Sequence, residues 1–356
     1  AHHIIIKTKF RKEKKLWTQN PAGHPITIFL AKNEKEEAQY IVEEINNWQR
    51  QKKELSHKDF AVLYRTNAQS RALEEAFLQA GLSYKIVGGT KFFDRREIKD
   101  LIAYLRLIQN PQDLISLERI INVPTRGFGK NPDCQIFINS DEAKLAQLTP
   151  QRQRAWKNFS AKLAAWRTIA AKEPLSKLLK IIIDEIGYEN FLRDRTEKGE
   201  ERWENVQELF SVTKKYDLFK PEEALTLFLE EVALMSNNDE VETQKDLVNL
   251  MTLHCAKGLE WPIVFIAGCE EGIFPHSRSL LDPWQMEEER RLCYVGITRA
   301  KEKLYLICAQ KRQLFGSTQS NPPSRFLSEI PPSLTEYLGL EEDEEEIDEE
   351  GIIMPF

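Results

Sequence analysis

Two separated stretches of the sequence repeat the same alternation of short apolar segments and helical segments. In the first, from Ile26 to Val87, the strand-like segments ITIFLA, FAVLY and YKIV are separated by helical patterns at 34–51 and 70–81. In the second, from 248 to 309, the segments VNLMTLH, PIVFIAG and KLYLICA accompany a helical pattern from about Met286 to Ala300. Strands joined by helices of this length form parallel βαβ units. The sequence therefore predicts the α/β class, with one parallel sheet built from two segments.

The residues between these stretches have a different character. Six segments, among them RREIKDLIAYLRLIQN and PLSKLLKIIIDEIG, space their apolar residues as a helix does, and no strand pattern competes. We therefore predict an all-helical domain at 93–245, inserted into an α/β domain made of 1–92 and 246–330. A stretch rich in Pro and Ser and an acidic run predict that 331–356 is a disordered tail.

The charge of the chain is distributed unevenly. The formal net charge is −6, yet residues 341–350 alone contain nine acids, and without them the remainder carries +3. A mildly basic body suits a polyanionic partner, whereas acidic runs of this kind more often keep a tail in solution than bind a ligand. The charge of the body is thus compatible with a polyanionic partner.

Several classes of protein are excluded by simple patterns. The longest apolar runs are much shorter than the roughly 20 residues of a membrane helix, and the first residues lack the apolar core of a secretion signal. The five cysteines form no Cys-x-x-Cys pair, which favours reduced, buried thiols and no metal site. We expect a cytoplasmic protein without a membrane span. Because the sequence begins with Ala, we also expect it to be cut from a longer protein.

The α/β pattern prompts a search for a phosphate-binding loop. No Gly-x-x-x-x-Gly-Lys-[Ser/Thr] occurs, and VGGTKFFD and RGFGKNPD have the wrong spacing. If ATP is bound, this chain is expected to act as the second partner at its site.

Three long segments in a fixed order resemble a known family. FAVLYRTNAQSRALEEAF, LMTLHCAKGLEWPIVFIAGCEEGIFPH and EEERRLCYVGITRAKEKLYL resemble motifs IV, V and VI of superfamily I DNA helicases of the UvrD/PcrA/Rep type. The segment LWTQNPAG is similar to the family as well. The resemblance implies a second RecA-like motor domain with an inserted helical domain. It also implies 3′-to-5′ movement, ATP and Mg²⁺ as cofactors, and single-stranded DNA and a single-strand/duplex junction as partners.

The resemblance assigns two residues to the nucleotide. Arg299 is similar to the family's arginine finger, a planar and always charged group suited to phosphoryl transfer. Its alternative is a surface arginine that caps its helix. Glu260 is similar to the glutamate that reaches the nucleotide sugar, and its alternative is a solvated acid at a strand entry. The phosphate loop and the Mg²⁺ ligands are expected in an N-terminal RecA-like domain missing from this chain.

A second set of residues is expected to contact single-stranded DNA through phosphate and sugar, without reading its sequence. They follow strand ends, where open α/β sheets bind ligands. Structural hydrogen bonding is the alternative for each histidine, and pairing with an acid of the missing domain is an equal alternative for Lys257. The set comprises Arg65, Asn67, Thr252, His254, Lys257 and His276.

The segment NVPTRGFGK in the helical insert is similar to the family's Arg-Gly-Ile-Gly turn, with Phe128 as the apolar plug. Gly127 and Gly129 would let backbone amides approach a duplex phosphate, and Arg126 and Lys130 would add positive charge. A tight turn without a ligand is the alternative.

The combined interpretation is the carboxyl-terminal half of an ATP-dependent DNA helicase that hydrolyses little or no ATP by itself. The alternative is a non-enzymatic DNA-binding or adaptor protein that uses a helicase-like scaffold. A subunit of a helicase–nuclease complex is less favoured, because the sequence shows no sign of a nuclease domain.

Overall fold

The chain divides into two units. The computed structural model describes residues 1–7, 23–129, 132–139, 142–236, 246–314 and 316–339. The first unit comprises 1–89, 245–312 and 319–356, and the second comprises 90–244 and 313–318. The first unit is an α/β unit, and the second is a helical unit.

The α/β unit contains one seven-stranded parallel sheet. The strands are β1 (Ile26–Ala31), β2 (Phe60–Tyr64), β3 (Tyr84–Val87), β4 (Val248–Thr252), β5 (Trp261–Ile266), β6 (Ala300–Ala309) and β9 (Thr335–Leu338). Their order in the sheet is β3-β4-β2-β5-β6-β1-β9. The helices are α1 (His2–Ile5), α2 (Glu34–Gln51), α3 (Ser70–Gln79) and α13 (Pro283–Ile297).

Alternate strand residues supply two hydrophobic cores, one on each face of the sheet. Phe60, Val62 and Tyr64 of β2 pack with apolar residues of α2 and α3. Ala61 and Leu63 belong to the other core, which includes Leu292, Cys293 and Ile297 of α13. This period of two is the geometry of a strand buried on both faces. The arrangement confirms the predicted α/β class and the RecA-like parallel sheet.

Strand β9 differs from the sequence-based expectation. The prediction that 331–356 is a disordered tail is wrong for Thr335–Leu338, which pairs in parallel with β1. Glu336 fixes this edge strand, since its Oε1 accepts hydrogen bonds from Lys303 Nζ at 2.7 Å and Thr27 Oγ1 at 2.5 Å. These bonds hold the pKa of Glu336 below its ordinary value. The acidic run at 341–350 lies outside the described residues.

Among its described residues, the helical unit contains the six predicted helices and three short ones. They are α4 (Arg96–Gln109), α5 (Leu114–Ile120), α6 (Gln135–Ile138), α7 (Glu142–Gln147), α8 (Pro150–Ala170), α9 (Leu175–Ile186), α10 (Tyr188–Leu192), α11 (Glu197–Lys214) and α12 (Pro221–Ser236). Thr149 caps α8 by accepting from Arg152 N, with Pro150 in the first turn. One apolar core includes residues of α4, α5, α8, α9, α11 and α12.

A small β-ribbon lies between β6 and β9 in the sequence. It consists of β7 (Arg312–Leu314) and β8 (Ser317–Gln319). Its turn belongs to the helical unit, where Gly316 N donates to Ser211 Oγ at 3.0 Å and Lys214 Nζ donates to Gly316 O.

Among the helices in the described ranges, none is long and apolar enough to cross a membrane.

Candidate nucleic-acid interface and nucleotide-facing edge

The carboxyl-terminal ends of β2 and β4 lie side by side. Tyr64 is in register with Thr252, and Leu253 N donates to Tyr64 O at 2.8 Å. This register places the loop that begins with Arg65 beside the turn that contains His254. The carboxyl-terminal edge of an open parallel sheet is where such folds bind ligands.

The loop after β2 is shaped by a residue that the sequence did not single out. Gln69 is buried, and its Oε1 accepts hydrogen bonds from the backbone N–H groups of Arg65 and Thr66, both at 2.9 Å. Asn67 begins the following 3₁₀ turn and is half-buried. Gln69 therefore fixes the loop and leaves the side chains of Arg65 and Asn67 to other partners.

Arg65 forms a two-point ion pair with Glu289 of α13. Arg65 Nε lies 2.9 Å and 3.0 Å from the two carboxylate oxygens, and a terminal nitrogen lies 2.7 Å from Oε1. The Glu289 side chain is only 5% exposed, against 21% for Arg65. Glu289 also accepts from the backbone N–H of His276 at 3.0 Å. One buried carboxylate thus joins two segments that the sequence assigned separately to DNA.

Glu289 escaped prediction because it stands in the run EEERR, where pairing within the helix is the simplest expectation. That expectation is met by Arg291, which pairs with Glu288 at 2.9 Å. Arg290 instead binds Glu329, with a longer contact to Glu287 at 3.8 Å. The helical periodicity of the sequence could have identified Glu289, because it places this residue on the same buried face of α13 as Leu292 and Cys293.

His276 is largely enclosed by its own loop. It is 7% exposed, and its Nδ1 accepts a hydrogen bond from Arg278 N at 3.3 Å. The structural alternative for this histidine therefore has direct support, and contact of its ring with DNA stays a prediction. In contrast, His254 and Lys257 are exposed, and Thr252 is half-buried at the strand end.

The loop that leads to His276 is anchored by a buried ionic triad. Arg312 binds Glu270 at 2.6 Å and Glu37 at 2.7 Å, with all three side chains at most 3% exposed. Burial alone would lower the pKa of Arg312, but the two carboxylates raise it well above its ordinary value. Next to Glu270, Glu271 pairs with Arg325 at 2.7 Å. The loop is thus held in place by two consecutive acids.

Glu260 and Arg299 lie where β5 and β6 begin. This is the amino-terminal end of the parallel strands, opposite to the carboxyl-terminal ends of β2 and β4. Trp261 N donates to Arg299 O at 2.9 Å, and Trp261 is in register with Ala300. The Glu260 side chain is 51% exposed and lies 3.9 Å from Lys301. The structure therefore brings the two nucleotide candidates together, away from the carboxyl-terminal ends of β2 and β4.

The Arg299 guanidinium is hydrogen-bonded to neutral acceptors. Its Nε donates to Val295 O at 2.9 Å, and its terminal nitrogens donate to Leu259 O at 2.7 Å and Thr298 Oγ1 at 2.9 Å. The helix-capping alternative is present in this geometry. Because carbonyl and hydroxyl oxygens do not neutralise a guanidinium, capping orients the group and preserves its charge for an anion.

Helix α13 extends from one edge of the sheet to the other. Glu289 lies eight positions before Ile297, the last residue of α13, which corresponds to a rise of about 12 Å along the helix, and Arg299 follows two residues later. Gly296 lets the helix sit close to the sheet, because a Cβ there would lie 2.5 Å from Leu253 Cδ2 and 3.0 Å from Ile266 Cδ1. The two predicted sites are therefore joined by one closely packed helix.

In the helical unit, the Gly-Phe-Gly turn adopts a backbone that favours glycine. Gly127 has φ +84° and Gly129 has φ +82°. Phe128 is 2% exposed, and its ring centroid lies 5.4 Å from that of Phe137. Phe128 is thus an apolar plug, as its position in the motif predicted. Lys130 lies outside the described residues.

The side chain of Arg126 is half-buried and directed into the helical unit. One terminal nitrogen donates to the carbonyls of Ile120, Ile121 and Val123 at 2.8, 3.2 and 3.1 Å. The other donates to the Tyr104 hydroxyl, and the guanidinium carbon lies 4.6 Å from the Phe159 ring centroid. These bonds show how well a guanidinium satisfies the carbonyls at the end of α5. Contact of Arg126 with a duplex phosphate stays a prediction.

Metal binding has no support in the described part of the chain. No group of three or more His, Cys, Asp or Glu side chains there could hold a metal ion.

Comparison with known proteins agrees with the motifs. A family model of the UvrD-like helicase C-terminal domain matches residues 1–146 and 134–311. The ATP-dependent DNA helicase PcrA of Bacillus subtilis is 42% identical over 357 residues, which cover 95% of this chain and 48% of that relative. PcrA proteins of Staphylococcus epidermidis and Staphylococcus aureus are 44% and 43% identical, each over 94% of this chain and 48% of the relative. The chain thus spans about half the length of these relatives. It belongs to the UvrD-like helicase C-terminal domain family, the carboxyl-terminal half of UvrD/PcrA-type superfamily I helicases.

Proposed function

We propose that this chain is the second motor domain and inserted helical domain of an ATP-dependent DNA helicase that moves 3′ to 5′ along single-stranded DNA. The observation that carries the proposal is the course of α13, which bears Glu289 beside Arg65 and leads to Arg299 at the other edge of the sheet. A motor must connect a DNA-binding site to a nucleotide-binding site, and α13 would connect the two proposed sites. The names of the relatives, ATP-dependent DNA helicases, support the same assignment.

At the nucleotide edge, Arg299 would stabilise the charge that develops on the transferred phosphoryl group. Its capping bonds to Val295 O and Leu259 O fix the guanidinium before ATP arrives. An arginine finger of this kind contributes a factor of about 10³–10⁵ in rate. Glu260, half-exposed beside it, would accept a hydrogen bond from a sugar hydroxyl. The phosphate loop would come from the other motor domain, so this chain alone would hydrolyse little ATP.

At the strand edge, exposed donors would bind phosphate and sugar. Lys257 and His254 are accessible for such contacts, and Asn67 and Thr252 flank them at the ends of β2 and β4. Arg65 would present the part of its guanidinium that does not face Glu289. Because these contacts are to the backbone, we expect binding without sequence preference and with strong salt dependence.

The test is to measure DNA-stimulated ATP hydrolysis and DNA binding in the complete gene product. Arg299→Ala is expected to abolish stimulated hydrolysis and to retain strand binding, whereas the matched control Arg291→Ala is expected to retain both. Hydrolysis that survives Arg299→Ala would contradict the finger assignment. A complete gene product that binds DNA but lacks hydrolysis altogether would favour the adaptor alternative. The 356-residue chain should show neither turnover nor stimulation.

A further inference from the structure

A buried acid lies at the edge of the sheet where a polyanion is expected to bind. The side chain of Glu289 is 5% exposed, and its carboxylate contacts Arg65, one of the residues proposed to bind the single strand. A negative charge beside a phosphate backbone repels that ligand and lowers its affinity. The presence of Glu289 at this edge therefore needs an explanation other than direct binding of DNA.

The side chain and the backbone of Arg65 are held by two different residues. Glu289 binds Nε and one terminal nitrogen of the guanidinium at 2.7 to 3.0 Å. Gln69 Oε1 accepts from the backbone N–H of Arg65 at 2.9 Å. The second terminal nitrogen makes no hydrogen bond to any residue that the structure describes, and 21% of the Arg65 side chain is exposed. The guanidinium thus has a fixed orientation and one edge left for a ligand.

The carboxylate of Glu289 also fixes the loop that contains His276. Its Oε2 accepts from the backbone N–H of His276 at 3.0 Å. Leu292 and Cys293, on the same buried face of α13, pack into the core on one face of the sheet. One packed helix therefore sets the spacing between the loop at Arg65 and the loop at His276.

We propose that Glu289 is a positioning residue for the single strand, which holds Arg65 and the His276 loop at a fixed spacing along the phosphate backbone. The inference rests on the proposed function, in which both segments face the strand. A side chain that is immobilised in advance loses less conformational entropy when its ligand binds. A buried ion pair adds little net stability over apolar residues of similar volume, so orientation is the contribution expected from this pair.

Charge and position predict opposite effects when the acid is removed. If Glu289 acted only through its charge, its removal would make the strand edge more positive and would tighten binding of DNA. If Glu289 positions Arg65, its removal releases a flexible cation, and binding weakens although the local charge has become more favourable. The sign of the change in affinity therefore separates the two explanations.

The experiment uses the complete gene product and two variants with the same change of charge. Glu289→Gln keeps the size of the side chain and removes its charge. The control is Glu288→Gln, because Glu288 is adjacent on α13, is 68% exposed in its side chain and pairs with Arg291 at 2.9 Å. Fluorescence anisotropy with a labelled oligothymidine would measure strand affinity. ATP hydrolysis would be measured as a function of the concentration of the same oligonucleotide.

A third variant covers the case in which Glu289→Gln does not fold. Glu289→Asp retains the charge and draws the carboxylate back by one C–C bond, about 1.5 Å. Because the position of the carboxylate changes, weaker strand binding than in the wild type is expected here as well. Thermal midpoints above the assay temperature would verify that each variant is folded.

Glu289→Gln is expected to bind the oligothymidine about three- to tenfold more weakly than Glu288→Gln. The oligonucleotide concentration for half-maximal hydrolysis should rise by the same factor, and the maximal rate should fall by less. Glu289→Asp should lie between the wild type and Glu289→Gln.

Three results would overturn the inference and leave the proposed function intact. They are an affinity of Glu289→Gln equal to or higher than that of the control, wild-type affinity in Glu289→Asp, and a lower maximal rate without a change in the half-saturating concentration. A wild-type protein that does not bind the oligothymidine would contradict the proposed function, and with it the inference.

Discussion

Arg65 and Glu289 form a two-point ion pair across 224 positions of sequence, with a shortest nitrogen–oxygen distance of 2.7 Å. The pair explains how the loop after β2 and the loop at His276 are held by the same helix. It also means that Arg65 has a structural role beside the one proposed at the DNA strand.

The structural role of the pair can be measured as stability. Arg65→Ala leaves a carboxylate that is 5% exposed without its cation, and we expect a loss of about 2 to 4 kcal/mol in the free energy of unfolding. Arg291→Ala removes a pair whose side chains are 43% and 68% exposed, so it should cost less than about 1 kcal/mol. Urea unfolding would compare the two. Equal losses would show that the Arg65–Glu289 pair does not stabilise the fold.

Lys257 is exposed and has no ion pair among the residues that the structure describes, so it is a suitable test of the single-strand track. Lys257→Gln should weaken binding of single-stranded DNA and lower the salt slope by about 0.7, the value for one phosphate contact on a single strand. Lys301→Gln is the matched control, because Lys301 lies at the opposite edge of the sheet, beside Glu260. Anisotropy titrations over a salt series would measure both slopes. The same slope in both variants would mean that Lys257 does not contact the strand.

The triad of Arg312, Glu37 and Glu270 should be the costliest ionic group to break. Arg312→Ala leaves two buried carboxylates facing each other, and we expect a loss of about 3 to 5 kcal/mol. Arg325→Ala breaks a pair in which the arginine is 48% exposed, for which about 1 kcal/mol or less is expected. Chemical unfolding of both variants measures the difference. Similar values would mean that water reaches the triad.

Attachment of β9 should depend on pH through Glu336. Hydrogen bonds from Lys303 and Thr27 hold the pKa of Glu336 below its ordinary value of 4.5. The folded state therefore binds this proton less readily than the unfolded state does. The stabilisation is complete above about pH 4.5 and is lost as the pH falls through the lower, folded pKa.

Glu336→Gln isolates this contribution. The thermal midpoint of the wild-type chain should exceed that of the variant at neutral pH, and the difference should disappear in acid. A difference that is constant with pH would contradict the role of the carboxylate. Glu302→Gln offers a control, since Glu302 pairs with Lys52 at 2.9 Å with both side chains partly exposed.

The strands and long helices could be predicted because the regular spacing of their apolar residues corresponds to the faces that are buried in the folded protein. The predicted helix at 34–51 coincides with α2, and FAVLY coincides with β2. Periodicity carries no such information for β9, whose residues are mostly exposed and stand between a proline-rich stretch and an acidic run. Pairing with β1, which is far away in sequence, makes it a strand.

The site was predictable only in part, for a similar reason. Motif resemblance locates residues such as Arg299 and Lys257, but it does not tell which groups each side chain meets. Gln69 and Glu289 act through contacts with the backbone and with distant segments, and their own neighbours in sequence give no sign of this. Arg126 illustrates the converse, since a cation beside glycines suits a phosphate and suits the end of a helix equally well.

The interleaving of strands in the sheet has a consequence for the order of events during synthesis. β2 lies between β4 and β5, and β1 lies between β6 and β9. The strands of the first segment, β1 to β3, therefore have all their neighbours in the sheet among the strands that are synthesised later. On a ribosome, residues 90–244 of the helical unit emerge before any of β4, β5 and β6 exists. The first segment must therefore wait as unpaired strands while more than a hundred further residues are made, a period in which exposed edges invite aggregation.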